Sequence, residues 1–161
     1  MDIPYNISRE ELRNIKFKQY LPERIEEDFR MSDAERRQMR SDFSERRNRL
    51  FHHLIHICTD TANKANASNT AVYISTHCYI SESLFRRVMY RRDRTLSADF
   101  IGRICVGLHL SIEESKQLFE EFGSPLVWGH SAFATVTLRA LQDGDSIDDY
   151  LEDLEYMQTE N

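Results

Sequence analysis

Apolar residues in this sequence recur every three or four positions, which is the spacing of one face of an α-helix. The clearest example is the last segment, whose apolar positions are Ile147, Tyr150, Leu151, Leu154 and Met157. An alternation of apolar and polar residues, which is typical of β-strands, persists nowhere along the chain. The pattern therefore predicts an all-α fold with seven or eight helices.

Several predicted helices have a recognisable first residue. In a capping box, a serine oxygen accepts the amide of the third helical residue, and an acidic residue at that position bonds back to the cap. This pattern occurs at Ser8/Glu11, Ser32/Glu35, Ser111/Glu114 and Ser146/Asp149. Gly123 and the Asp143-Gly144 pair are suited to end helices, because glycine readily adopts the left-handed conformation found there.

The sequence of the N-terminal half predicts a short helix followed by a longer, partly charged helical region. A short helix is expected over residues 8–21, before Pro22. From Ser32 to Cys58 the apolar spacing predicts one long helix or two abutting ones, of which residues 33–49 are mostly charged and form a solvated or partner-facing extension. Residues 59–70 are polar and predict a loop. Further helices are expected over 71–78, 81–91 and 97–108, after Ser111, around 133–141 and over 147–157.

The charge is divided unevenly along the chain. The formal net charge of −6 argues against nucleic-acid binding when it is taken as an average. Residues 1–110, however, contain 19 Lys and Arg against 15 Asp and Glu, whereas residues 111–161 contain 2 against 12. Residues 86–94 alone contain five arginines and one acidic residue. The average therefore hides a local basic segment followed by an acidic C-terminal third.

Other function classes find little support in the sequence. No apolar run approaches the ~18 residues of a membrane helix, and the N-terminus lacks the pattern of a secretory signal. Cys58, Cys78 and Cys105 lie among apolar residues without a CxxC pair, which predicts reduced core thiols in a cytoplasmic protein. His52 and His56 share a helical face and form a possible pair of zinc ligands, but no third ligand lies nearby. With no phosphate loop and no nucleophile elbow, we expect neither an enzyme nor a cofactor.

The most informative segment is the pair of short helices at 71–91. Two short helices joined by a tight turn are the geometry of a DNA-binding helix-turn-helix. Ile74, Ser75 and Cys78 are predicted to face inward from the first helix, Ile80 to fill the turn and Ser81 to cap the second helix. On that second helix Leu84, Phe85 and Val88 are expected to face inward, which leaves Glu82, Ser83, Arg86 and Arg87 outside.

At these residues the chain resembles the lambda-repressor/Cro-like (XRE-type) helix-turn-helix families. The matching stretch is Ser75-Thr-His-Cys-Tyr-Ile-Ser81, then Phe85-Arg-Arg-Val88, a charged loop, and an apolar helix from Ser97. The chain is similar to a bacterial subgroup with extra C-terminal helices, over about residues 45–157. It departs from the common pattern at Tyr79, where the family often has Gly, at Ala71, where a DNA-contacting Gln is common, and at Leu96, where Pro is frequent. The family's Gly implies that Tyr79 adopts a positive φ, at some cost for a residue with a side chain.

The resemblance implies a lambda-repressor-like bundle with N- and C-terminal helical extensions. We expect an N-terminal extension over 1–44, a helix-turn-helix domain over 45–123 and an acidic helical pair over 124–161. In a recognition helix the N-terminal side chains meet base edges, which places Ser81, Glu82 and Ser83 against bases. Arg86 and Arg87 follow one turn later as candidates for guanine, and Arg91, Arg92 and Arg94 as candidates for phosphates.

Two functional hypotheses follow. The first is a sequence-specific transcriptional regulator that binds double-stranded DNA as a homodimer, with no membrane partner. The second is a protein-binding inhibitor or adaptor encoded by a mobile element, for example an anti-CRISPR, that keeps the helix-turn-helix fold as a scaffold. Its partner is expected to bind the acidic C-terminal helices, which imitate phosphates, or the charged N-terminal helices.

Overall fold

The computed structural model describes Arg9 and residues 32–159, and within that part of the chain the fold is all-helical, with no strand. The all-α prediction is confirmed. The helix predicted over residues 8–21 lies outside the described residues. The described helices are α1 (Asp33–Lys64), α2 (Thr70–Cys78), α3 (Glu82–Arg86), α4 (Ala98–Gly107), α5 (Ile112–Phe122), α6 (Ala132–Asp143) and α7 (Ile147–Thr159), and a π-helical segment (Arg87–Arg91) continues α3.

The first described helix is one continuous element of 32 residues. The prediction that residues 59–70 form a loop is wrong for its first half, because α1 continues to Lys64. Ala62 is buried in this part of the helix, and the Thr61 hydroxyl donates a hydrogen bond to the carbonyl of Ile57 at 2.7 Å. Tertiary burial on one face has therefore kept a polar sequence helical.

The N-terminal part of α1 stands away from the core. Residues 33–49 are all exposed, and Leu50 is the first buried residue of the helix. At 1.5 Å per residue the exposed part is about 25 Å long. It includes two large apolar side chains, Met39 and Phe43, which are 57% and 61% exposed. The expected extension is therefore present as a helical arm, which we define as residues 33–49.

The rest of the chain packs around α4. The main core joins α1 from Leu50 onwards to α2, α3, α4 and α5, and a second, smaller cluster joins α4 to α6 and α7. Helices α2 and α4 cross closely at Gly107, where an added Cβ would lie 2.5 Å from the carbonyl oxygen of His77. The position of α2, and of the turn that follows it, is therefore fixed by α4.

Serine caps define most of the helix starts. The described cap serines accept the backbone amide three residues ahead at 3.0–3.2 Å; they are Ser32, Ser81, Ser97, Ser111, Ser131 and Ser146. Ser8 lies outside the described residues. Gly123 and Gly144 end α5 and α6 with φ of 92° and 64°, as their sequence positions predicted.

The three cysteines are buried and form no disulfide, so their placement in the core is confirmed. Burial raises the pKa of Cys58 and Cys105 to about 12, and it raises the pKa of Cys78 as well. A thiol reagent attacks the thiolate, and an increase of three pKa units lowers its population about 1,000-fold.

We therefore expect a thiol-reactive dye at pH 8 to label the native protein at least about 100-fold more slowly than the protein unfolded in urea. All three cysteines should react once the chain is unfolded, which provides the internal control. Rapid labelling of even one cysteine in the native state would contradict this prediction.

No helix in the part of the chain that the structure describes has the length and apolar character to cross a membrane.

The last helix, α7, is acidic, and Arg9 lies against it. The Arg9 guanidinium contacts Asp153 at 2.9 and 3.0 Å, Asp149 at 3.4 Å and Glu152 at 3.7 Å. Part of the C-terminal negative charge is therefore neutralised by a residue from the start of the chain.

Candidate nucleic-acid interface

The turn between α2 and α3 is held from both sides. Tyr79 adopts the left-handed conformation with φ of 58°, a region that non-glycine residues rarely occupy. Its carbonyl accepts a hydrogen bond from Arg103 of α4 at 2.7 Å. Ile80 is buried beneath the turn, and the Ser81 hydroxyl accepts the amide of Leu84 at 3.1 Å. The predicted roles of these turn residues are confirmed, including the positive φ at Tyr79.

The inner side of α3 and of the turn that follows it is apolar, but fewer of its residues are buried than the sequence predicts. Phe85 and Val88 are buried as expected, and the ring of Phe85 stacks on Phe100 of α4 with centroids 6.4 Å apart. The prediction that Leu84 faces inward is wrong, because Leu84 is 39% exposed. It lines a small groove between α3 and α4, which Tyr79 also lines.

The outer side of α3 carries the residues predicted to contact bases. Ser81, Ser83 and Arg86 are exposed, and Glu82 and Arg87 are half-buried. Arg86 lies 4.0 Å from Glu82, and Arg87 lies 3.5 Å from Asp93. Both are solvent-exposed ion pairs of small energetic value, so a ligand with stronger charge can displace the carboxylates. The five residues thus form one polar, solvent-facing surface.

A π-helical segment follows directly on α3. The predicted helix over 81–91 is α-helical only through Arg86, and Arg87–Arg91 form one wider turn. Arg92 ends it in the left-handed conformation with φ of 57°, and the amide of Asp93 bonds to the carbonyl of Arg87 at 3.1 Å. Single π-turns inside helices are rare and occur frequently at functional sites.

The loop arginines join a basic surface that extends onto α1. The Arg92 guanidinium lies 4.5 Å from the centroid of the Phe51 ring, and Arg47 of α1 lies 5.6 Å from the same centroid. Arg91 and Arg94 are exposed, and among the described residues no carboxylate lies within ion-pair distance of either. Arg47 could not be predicted as part of this surface, because no local pattern shows that residues 47 and 92 meet.

Tyr90 also belongs to this surface, although it is not among the predicted site residues. Its side chain is 52% exposed, and its ring meets Phe85 edge-on with centroids 5.6 Å apart. Partial burial raises the pKa of the Tyr90 phenol, and the nearby Arg86 opposes that rise. The spacing of four residues from Arg86 was a usable signal, since residues at that spacing are neighbours on a helix.

The histidines of α1 do not form a metal centre with other described residues. His52 and His56 are exposed, and His53 lies 3.4 Å from a carboxylate oxygen of Glu121. Within the described residues, no group of three or more His, Cys, Asp or Glu side chains is placed to hold a metal ion.

Comparison of the chain with protein-family models, with curated proteins and with solved structures found no match. The site consists of a turn-linked helix pair, α2 and α3, with a polar outer face on α3 and a cluster of arginines beside it. We define this arginine cluster as Arg47, Arg91, Arg92 and Arg94 and call it the basic rim.

Proposed function

We propose that the protein is a sequence-specific DNA-binding regulator that inserts α3 into the major groove. The observation that carries this proposal is the position of Arg86 and Ser83 on the exposed face of α3, next to a basic rim. A helix in the major groove reads base edges, and arginines at its border hold the phosphates. The order of the helices, with α2 and α3 inside a bundle formed with α1, α4 and α5, supports a lambda-repressor-like assignment.

The side chains of α3 suit direct reading of bases. Ser81 and Ser83 can donate to or accept from either base of a pair, and Glu82 can accept from the amino group of cytosine. Arg86 can donate two parallel hydrogen bonds to guanine, the most common specific contact in the major groove. The basic rim and Arg46 supply cations for about five phosphates, which corresponds to a salt-dependence slope of about −4 to −5.

The proposal is tested by selection from a mixed genomic DNA pool. We expect the full-length protein to enrich a limited set of related sequences, and the enrichment should weaken between a low and a high salt concentration. The logarithm of the binding constant for one enriched duplex should then fall linearly with the logarithm of the salt concentration. Absence of any enrichment at low salt would overturn the proposed function.

A second candidate function is binding of a basic protein surface through the acidic C-terminal helices. The observation that favours it is a set of exposed carboxylates on α5 and α7, namely Glu113, Glu114, Glu120, Asp148, Glu152 and Glu155. In this second function the helix-turn-helix would serve only as a scaffold for the acidic surface, as in an inhibitor encoded by a mobile element. Reversing the charge of Asp148 and Glu155 should abolish capture of such a partner and leave DNA selection unchanged, because both lie on α7, away from α3 and the basic rim.

A further inference from the structure

Most of the exposed apolar side chains lie on the helix-turn-helix pair. Six large apolar side chains are exposed in the described part of the chain, and four of these lie between residues 70 and 91, namely Val72, Tyr79, Leu84 and Tyr90. Tyr79 and Leu84 line one groove between α3 and α4, so they belong to one apolar patch. The surface proposed to meet DNA therefore includes apolar groups as well as polar side chains and arginines.

Leu84 lies at one edge of the outer side of α3. At 100° per residue, the outward side chains follow one another within an arc of about 160°, in the order Arg86, Ser83, Arg87 and Leu84. The amide of Leu84 donates a hydrogen bond to the Ser81 hydroxyl at 3.1 Å, so Leu84 belongs to the first turn of α3. When a helix enters the major groove, the residues of its first turn meet base edges. The polar, base-reading side of α3 therefore ends at an apolar side chain that is itself 39% exposed.

The groove that Leu84 lines is small, and much of its lining is apolar. It has a volume of about 180 Å³, and the buried side chains of Ile80, Val88 and Phe100 contribute to its lining. Tyr79, which is 65% exposed, also lines it. Pockets that hold small molecules usually have volumes of about 300–1,000 Å³. The groove is therefore better suited to one small apolar group than to a free ligand of ordinary size.

The two charged side chains that line this groove are paired with each other. Arg103 contacts Asp99 at 2.9 Å, and it also donates a hydrogen bond to the Tyr79 carbonyl at 2.7 Å. The second contact holds the backbone of Tyr79 in place beside the groove. Because the positive and negative charges compensate each other, the groove offers an apolar contact without a net charge that would attract a phosphate.

We propose that Leu84 packs against the C5-methyl group of a thymine in the bound DNA, with Tyr79 at the border of the same contact. This inference rests on the proposed function, because it assigns a base to the apolar edge of α3. The thymine methyl is the apolar group that base pairs present in the major groove. Cytosine and the purines have no methyl group at this edge and would leave Leu84 partly uncovered. The contact therefore selects an A·T pair beside the base pairs that the polar side chains read.

Replacement of thymine by uracil tests this contact, because uracil differs from thymine only by the missing methyl group. Each thymine of an enriched duplex is replaced in turn, and the affinity of the full chain is measured by fluorescence anisotropy. We expect replacement of one particular thymine to weaken binding about fourfold, which corresponds to the burial of one methyl group. The variant Leu84→Asn, which is similar in size but polar, should bind the thymine and uracil duplexes equally. Leu84→Met keeps an apolar side chain and should keep most of the difference.

Val72→Asn is the matched control, because Val72 is an exposed apolar residue of α2 that does not line the groove. This control should keep the fourfold difference between thymine and uracil. Absence of any enriched sequence would overturn the proposed function and this inference with it. Enrichment without a methyl-sensitive thymine, or a difference that persists in Leu84→Asn, would overturn this inference alone. If Leu84→Asn lowers the mass measured by light scattering and leaves the difference unchanged, Leu84 belongs to a contact between copies of the chain instead.

Discussion

The double variant Arg86→Ala/Arg87→Ala is expected to lose sequence-selective DNA binding. Each bidentate contact between arginine and guanine contributes about 1–3 kcal/mol of discrimination, so the loss of two corresponds to roughly 30-fold to 20,000-fold in affinity for a selected duplex. The folded state should be nearly unaffected, since the ion pairs of these arginines with Glu82 and Asp93 are solvent-exposed. Fluorescence anisotropy with a selected and a scrambled duplex measures the effect.

The matched control removes the same number of positive charges elsewhere. Arg37→Ala/Lys116→Ala alters the arm and α5 and leaves α3 and the basic rim intact. We expect this control to lower binding to both duplexes slightly and by similar factors, because only the general electrostatic attraction changes. Equal losses for the two double variants would show that Arg86 and Arg87 do not read bases.

The substitution Gly107→Ala is expected to destabilise the fold by about 3 kcal/mol, at the upper end of the cost of overpacking. An added Cβ would lie 2.5 Å from the carbonyl oxygen of His77 and 2.8 Å from the Cα of Cys78. Both are backbone atoms of α2, so the contact is relieved only if α2 and α4 move apart. Because α2 leads into the turn before α3, the variant should also lose DNA binding under conditions where it remains folded.

Gly102→Ala provides the comparison for this variant. At Gly102 the added Cβ meets the ends of two side chains, the Tyr150 hydroxyl at 2.5 Å and the Phe133 ring at 3.1 Å. Side chains can rotate away more easily than a backbone can move, so we expect about half the loss of stability. Urea unfolding followed by circular dichroism measures both. A Gly107→Ala variant as stable as the original chain would contradict the close crossing of α2 and α4.

The helices and the tight turn between α2 and α3 could be predicted because their signals are local. A serine cap, a glycine stop and an apolar residue every three or four positions act over a few residues, and all are readable from the sequence. The turn at Tyr79 is the clearest case. The resembled family often has glycine at this position, which predicts a left-handed conformation. Tyr79 adopts that conformation with φ of 58°.

The remaining features depend on contacts between distant residues. The last turn of α1 has the composition of a loop, but the burial of Ala62 favours its helical form. Leu84 is apolar, but the inner side of α3 is already filled by Phe85 and Val88, so it lies at the edge of the groove. Arg47 and Arg92 both lie over the Phe51 ring, although they belong to segments that are far apart in the sequence.

The π-turn after α3 determines how the side chains that follow it are oriented relative to α3. A π-turn holds one residue more than an α-turn, so every side chain after it is rotated by about 100° from its position on an unbroken helix. Loss of a single residue between Arg87 and Arg91 would restore the α-helix and reorient Arg92 and Arg94 relative to α3. Under the proposed function, a chain shortened by one residue here would keep the base-reading side of α3 and hold the phosphates differently.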